Sequence, residues 1–205
     1  MKANLFKADI MSKQAKFNRD QVIEKATNLY WEKGYHATSM RNLQDVVDMR
    51  PGSIYAAFGS KDNLFKEALN RYAQVGAEQL ANSLAQEKTV LAGLKRFIRS
   101  VTICNKDSAP NGMCMIVKSI AELTQSDNPD LLASATHILE NIEGSFTRIF
   151  QQAIDNGEIS VEKDPVELAR YLQIQIIGIR TYAQITNNMN TIEKLIDDIF
   201  KGLRV

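Results

Sequence analysis

The chain has 205 residues, 44% of them hydrophobic and 24% charged, with a net charge of +1 at pH 7. That composition supports a sizeable core and excludes global disorder, and no apolar run approaches the ~20 residues that a membrane-spanning helix needs. Two cysteines are too few for a disulfide scaffold, and residues 1–16 carry no secretory pattern, so the expected location is cytoplasmic with both thiols reduced.

Almost every periodic segment has helical spacing, and about nine helices are expected in an all-α fold. Residues 1–16 form a tail. Asn18 and Gln21 then make a capping-box pattern, with Phe17 placed to staple onto Val22. Val22, Ile23, Ala26, Leu29 and Tyr30 give one apolar stripe, and Gly34 ends the helix. A short helix from Thr38 is expected to bury Met40, Leu43, Val46 and Val47. Pro51 opens a third helix, where its missing N–H is tolerated, and Ser60 caps a fourth with the stripe Leu64, Phe65, Ala68 and Tyr72. Helices follow at about 91–105 and 113–124, with a turn at Pro110-Asn111-Gly112 between them. Asn128-Pro129 opens a long helix that stops at Asn156-Gly157, Asp164-Pro165 opens the next, and Asn190 with Glu193 caps the last.

Charge is spread unevenly. Residues 1–65 hold ten Lys/Arg against seven Asp/Glu, +3, while residues 66–205 hold fifteen against seventeen, −2. The asymmetry suits a head that meets a polyanion and a body that does not. The most informative stretch lies in that head, at residues 38–64: TSMRNLQDVVDMRPGSIYAAFGSKDNL. Two short helices joined by a tight turn, followed at once by a capped longer helix, form a helix-turn-helix, whose second helix enters the major groove. Gly52 and Ser53 keep the start of that helix small, so its backbone can approach DNA. The helix N-termini offer free N–H groups to phosphates.

The run GSIYAAFGSKDNL, with Gly34-Tyr35 and Thr38-Ser39-Met40 upstream, resembles the DNA-binding domain of the TetR family of repressors. The resemblance covers residues 17–63 or so as the DNA-binding domain and leaves residues 64–205 as an effector-binding and dimerisation domain. It implies a homodimer reading a pseudo-palindromic operator in duplex DNA, released by a small apolar or electrophilic effector. It also implies roles for single residues. Thr38 and Ser39 would hold phosphates, with Arg41 a further candidate contact. Arg50, Ser53 and Tyr55 would face the groove or its walls, and Lys61 would hold a phosphate as a point charge. Phe58 would lock the recognition helix to the head. Three positions depart from the family pattern. Asp48 stands where glycine is favoured, and Asp tolerates left-handed geometry. Arg50 replaces a Ser/Thr cap, which leaves its guanidinium able to read guanine. Ala56-Ala57 replaces aromatic or His residues and removes one expected contact. Tyr55 has a second reading as a core residue, although Ile54 and Phe58 already supply the buried stripe. Lys61 and Arg41 have one as solvated surface charges.

In the body, the last helix carries Ile192, Leu195, Ile196, Ile199, Phe200 and Leu203 on one face, and the helix before it Leu172, Ile176 and Ile179 with the small Gly178. Such helices from each subunit could form a four-helix interface, as the family does. The alternative is that both stripes face their own core. The expected dimer contacts are Leu172, Ile176, Ile179, Ile192, Ile196, Ile199 and Phe200. Apolar and polarizable residues in the middle helices nominate a ligand site lined by Phe97, Val101, Cys104, Met113, Cys114, Ile116 and Phe146. The stretch NGMCMIVKSIAEL resembles one subgroup of the family, which contains the N-ethylmaleimide-responsive repressor. Cys104 lies where that repressor has a cysteine, and beside Lys106 it could be a reactive thiol. It also continues the stripe of Leu94, Phe97, Ile98 and Val101, as an inert packing residue would.

No cofactor and no metal site is expected. His36 and His137 have no ligand partners at metal spacing, and no phosphate-cradling loop or nucleophile elbow appears, so an enzyme is the lesser reading. A DNA-binding activator without a ligand, its pocket filled by side chains, is the other alternative.

Overall fold

The computed structural model describes residues 18–104, 112–186 and 188–204, with the Cys104 and Arg204 side chains outside that description. Nine α-helices and no strand are found among the described residues. They are α1 (Arg19–Lys33), α2 (Met40–Val47), α3 (Pro51–Phe58), α4 (Lys61–Ala85), α5 (Val90–Arg99), α6 (Met115–Glu122), α7 (Pro129–Asp155), α8 (Pro165–Tyr182) and α9 (Met189–Arg204). A π-helical turn, Ser100–Cys104, continues α5.

The caps explain most of these boundaries. The Asn18 side chain accepts from the backbone N–H groups of Asp20 and Gln21 and starts α1. Thr38 does not start α2. Ser39 caps it instead, in a reciprocal capping box with Asn42. Asp48 closes α2 in left-handed geometry, φ 55° and ψ 49°, so the tight turn survives without glycine. Ser60 accepts from the Asn63 N–H and starts α4. The start of α9 is likewise set by Asn188, which accepts from the Thr191 N–H, and not by Asn190. The Phe17 staple and the Pro110-Asn111 part of the expected turn lie outside the described residues.

Two hydrophobic cores organise the chain. The first holds the inner faces of α1, α2, α3 and the start of α4, and it continues through Met115, Ile116 and Leu123 into the first half of α7 at Leu131, Ala135 and Ile138. The helix-turn-helix therefore rests on α6 and α7. Its core does not close at the expected boundary after residue 63. Within it, Phe65 meets Tyr30 and Tyr35 edge-on, with centroids 4.9 and 5.0 Å apart. The second core joins α5, the second half of α7, α8 and α9. Here α4 and α5 pack very closely at Gly93, where a Cβ would stand 2.7 Å from the Leu84 Cα.

The α9 stripe belongs to this second core. Ile192 and Ile196 are completely buried, and Ile199, Phe200 and Leu203 nearly so, against α5 and α8. Leu172 and Ile179 are buried in the same cluster, and Ile176 packs against it. Apart from Leu195, each apolar stripe thus faces the chain's own core, and of the expected dimer contacts only half-buried Ile176 has an accessible side chain to offer a partner. Other apolar side chains stay outside. Tyr171, Ile174 and Tyr182 on α8, Ile185 in the turn after it and Leu195 on α9 are 38, 65, 41, 80 and 39% exposed. Exposed Gly178 lies between Ile174 and Tyr182 on the same face of α8, with open space where a Cβ would be.

Candidate nucleic-acid interface and body cavity

The outward surface of the head is built on α3. Ile54 and Phe58 are buried and fix the helix to the first core, while Pro51, Gly52, Ser53, Tyr55 and Ala56 are exposed. Tyr55 is 47% exposed, so it is not a core residue. Arg50 precedes the helix and makes no side-chain cap bond, which leaves its exposed guanidinium uncommitted to the N-terminus. Arg41 is exposed on α2.

Two of the expected phosphate ligands are committed elsewhere. Thr38 is fully buried, and its hydroxyl donates to the Gly34 carbonyl at 2.6 Å, so its side chain cannot reach a phosphate. Lys61 turns inward. Its Nζ lies 4.1 Å from the Tyr35 ring centroid and donates to the Tyr35 carbonyl at 2.8 Å. Burial lowers the pKa of this ammonium against the opposing pull of Asp62 and Glu122. Lys61 therefore ties the α1–α2 connection to the start of α4, and the point-charge role is corrected to a structural one. Ser39 is exposed, but its hydroxyl donates to Asn42 and accepts from the Asn42 N–H. The Ser39 N–H donates to the Asn42 side-chain oxygen as well, so the donors that remain for a phosphate there are the Met40 and Arg41 N–H groups of the first turn.

The head is bolted to the body at the C-terminal end of α1. The Lys118 Nζ on α6 donates to the Trp31 and Glu32 carbonyls at 3.2 and 2.7 Å, at the negative end of the α1 dipole. The Trp31 indole N–H donates to the Met113 carbonyl at 2.7 Å. A Glu122 carboxylate oxygen accepts the Tyr35 N–H at 2.7 Å. This seat exists because Gly34, at φ 86°, has no Cβ; one would lie 2.5 Å from the other Glu122 carboxylate oxygen. No sequence pattern announced these contacts, which join residues more than eighty positions apart.

A cavity of about 340 Å³ lies beside this junction, between α1, α4, α5, α6, α7 and α8. Of the nominated ligand residues, Phe97, Val101, Cys114 and Phe146 line it. Ile116 does not: it is fully buried in the first core. Met113 is also absent from the lining, although its carbonyl holds Trp31. The Cys104 side chain lies outside the described residues. Ile176, nominated for the dimer, lines the cavity instead. The polar lining was not anticipated: Asn28, Tyr72, Gln79, Ser145, Gln173 and Arg180. Burial pushes the Tyr72 phenol far above its ordinary pKa, with Cys114 beside it adding to the rise, so Tyr72 stays protonated.

Comparison with known proteins places this geometry. Residues 22–68 match the family model for bacterial regulatory proteins of the tetR family, and residues 90–199 match the tetracyclin repressor-like C-terminal domain. The chain belongs to the TetR family. It is a DNA-binding transcriptional regulator of that family. Among its relatives, the HTH-type transcriptional repressor ComR of Escherichia coli is 27% identical over 82% of this chain and 80% of ComR. The TetR fold recurs in solved structures. A cysteine mutant of the regulator CifR, complexed with 26-bp double-strand operator DNA, has a TM-score of 0.81 at 22% identity, covering 91% of this chain and 97% of CifR. The reduced form of Escherichia coli NemR has a TM-score of 0.75 at 16% identity, covering 88% and 94% of the two chains. No helix among the described residues is long and apolar enough to cross a membrane.

Proposed function

We propose that this chain is a cytoplasmic, dimeric repressor whose two α3 helices read a pseudo-palindromic operator, and that a small molecule in the body cavity loosens its grip. It has no catalytic role in this reading. The observation that carries it is the split surface of α3: Ile54 and Phe58 anchor the helix, while Arg50, Gly52, Ser53 and Tyr55 stand outside. Arg50 would read a guanine edge, Tyr55 and Ser53 the groove and its walls, and the Arg41 side chain with the first-turn N–H groups of α2 the flanking phosphates. Residues 17–63 would act as the reading head and residues 64–205 as the effector and dimer body, joined through α4 and the α1–α6 seat.

The dimer would form on the exposed face of α8 and α9 and the turn between them, through Tyr171, Ile174, Tyr182, Ile185 and Leu195. Gly178 would let the partner helix come close, and the apolar side chains would be covered by the same face of the second copy, as a two-fold interface requires. The open cavity counts against an activator whose pocket is filled by its own side chains.

Selection of bound duplexes from a random library with the full chain tests the reading. A pseudo-palindrome should be enriched, and Arg50→Ala should relax one position per half-site at a cost of ~1–3 kcal/mol. Enrichment of no duplex would reject operator reading. Equal weakening of every sequence by Arg50→Ala would reject the base contact. A reporter fused to the selected site, with and without the gene, gives the sign of control, which should be repression.

A further inference from the structure

We propose that the body cavity binds a monoanionic amphiphile: a small carboxylate with an apolar body, its head group held by Arg180 and Tyr72. The proposal rests on the reading of this cavity as the effector site and names the class of effector.

Arg180 stands in the last turn of α8 with only 8% of its surface exposed. Its Nε donates to the Gly112 carbonyl and one Nη to the Tyr72 hydroxyl, both at 3.1 Å. A guanidinium has five N–H donors and cannot shed its proton. Among the described residues no further hydrogen bond engages its remaining donors, and no carboxylate lies within ion-pair distance. A buried, uncompensated charge is one of the costliest features a protein can carry. This one lines an open cavity.

A second, independent orphan lies two helical turns away. The Gln173 Oε1 is buried without a hydrogen-bond partner, and Gln173 also lines the cavity. Tyr72 completes the set. Its oxygen accepts from Arg180 and burial keeps its proton in place; the O–H bonds with Cys114, a weak sulfur partner that an incoming oxyanion would displace. Arginine and a phenol offer parallel donors to a planar carboxylate, while Gln173 Oε1, an acceptor, can take a hydroxyl or N–H carried elsewhere on the ligand.

The rest of the wall sets the body of the ligand. Trp31, Leu80, Phe97, Ile142, Phe146 and Ile176 are apolar, and the volume of about 340 Å³ is at the small end for ligand sites. Arg180 is the single cation among the described lining residues. One positive charge balances a carboxylate and would leave a phosphate dianion under-compensated. A neutral apolar molecule would leave the guanidinium unanswered.

The chain has one tryptophan, Trp31, and it lines the cavity, so the unmodified protein reports its own ligand. Trp31 fluorescence would be titrated with octanoate, 4-phenylbutyrate and the primary amide of each, and operator affinity measured in parallel. Both carboxylates should shift the emission saturably and bind at least tenfold more tightly than their amides. Arg180→Gln should erase that preference and Arg180→Lys should keep part of it. Gln173→Leu, which leaves the guanidinium in place, should retain the preference; thermal melts check that all three variants are folded. Amides binding as tightly as acids, or no emission change with any of the four probes, would overturn the anionic class. Acids that bind through Arg180 yet leave operator affinity unchanged would support the class and reject the effector reading, so the two fail separately.

Discussion

Two substitutions on neighbouring helices separate the subunit core from the proposed dimer face. Ile196 on α9 is completely buried between α5 and α8, whereas Ile174 on α8 is 65% exposed. Ile196→Glu removes a packed side chain, worth about 2–5 kcal/mol, and adds the penalty of a buried, unpaired charge, several kcal/mol more. Together these rival the whole stability of a domain, about 5–15 kcal/mol, so the chain should unfold. Ile174→Glu should change subunit stability by no more than about 0.5 kcal/mol, as exposed substitutions do. In a two-fold interface the same charge enters twice. At roughly 3–5 kcal/mol for each uncompensated charge, the dimer would lose at least about 6 kcal/mol, which is about four orders of magnitude in Kd. Sedimentation velocity with circular dichroism melting reads both quantities. The expected result is a folded monomer for Ile174→Glu and an unfolded or aggregated chain for Ile196→Glu. An Ile174→Glu protein that sediments as a dimer like the parent, or an Ile196→Glu protein that is monomeric with an unchanged Tm, would refute the assignment of faces.

Lys61→Ala removes one charge-assisted hydrogen bond and one cation–π contact at a half-buried site, about 1 kcal/mol, so Tm should fall by roughly 2–4 °C. Operator affinity should drop with the slope of log K against log salt unchanged; a slope flatter by about 0.9 would return Lys61 to phosphate binding. Gly93→Ala drives a Cβ into the α4 backbone at Leu84 and should destabilise by about 1–3 kcal/mol, read in denaturant melts; an unchanged midpoint would mean that the helices separate freely. Lys118→Met keeps the side-chain bulk on α6 but releases the two α1 carbonyls. It should weaken the effect of cavity ligands on operator affinity several-fold while leaving their binding, followed at Trp31, within about twofold. Equal losses in both would assign Lys118 to the site and not to the link.

The head was legible because its signals are local. Asn18, Gly34, Pro51 and Ser60 each act within a few residues, and period-3.6 spacing told Ile54 and Phe58 from Tyr55. Thr38 was misread because Ser39, one position on, is an equally good cap, and only the fold reveals that the Thr38 hydroxyl bonds back to Gly34. Lys61 was misread for a related reason. A basic residue at a helix N-terminus looks free until Tyr35, twenty-six positions away, is brought beneath it. The stripes of α8 and α9 were correctly seen as apolar, but hydrophobic periodicity does not say whose core a face enters. The exposed remainder, with Ile174 and Ile185 among polar neighbours, has too weak a pattern to stand out. In the cavity, four of the apolar lining residues were legible as middle-helix hydrophobics. Arg180 and Gln173 were not, because a charged or amide side chain on a helix ordinarily points to water.

The position of the cavity bears on how an effector could act on DNA. A ligand shifts an equilibrium only by its difference in affinity for the two states, so it must touch something whose placement differs between them. Asn28 and Trp31 line the cavity and belong to α1, the first helix of the head. Tyr72, Val75, Gly76 and Leu80 line it from α4, whose first turn carries Lys61 and Asp62 beneath Tyr35. Arg180 holds the Gly112 carbonyl, and the next residue, Met113, accepts the Trp31 indole N–H. A carboxylate that drew Arg180 toward itself would compete with the bond to Gly112 and so act on the strand of contacts that seats Trp31. The ligand need not push the head directly. It need only bind better where the α1–α6 seat is loosened, and by reciprocity operator DNA would then weaken its binding by the same factor.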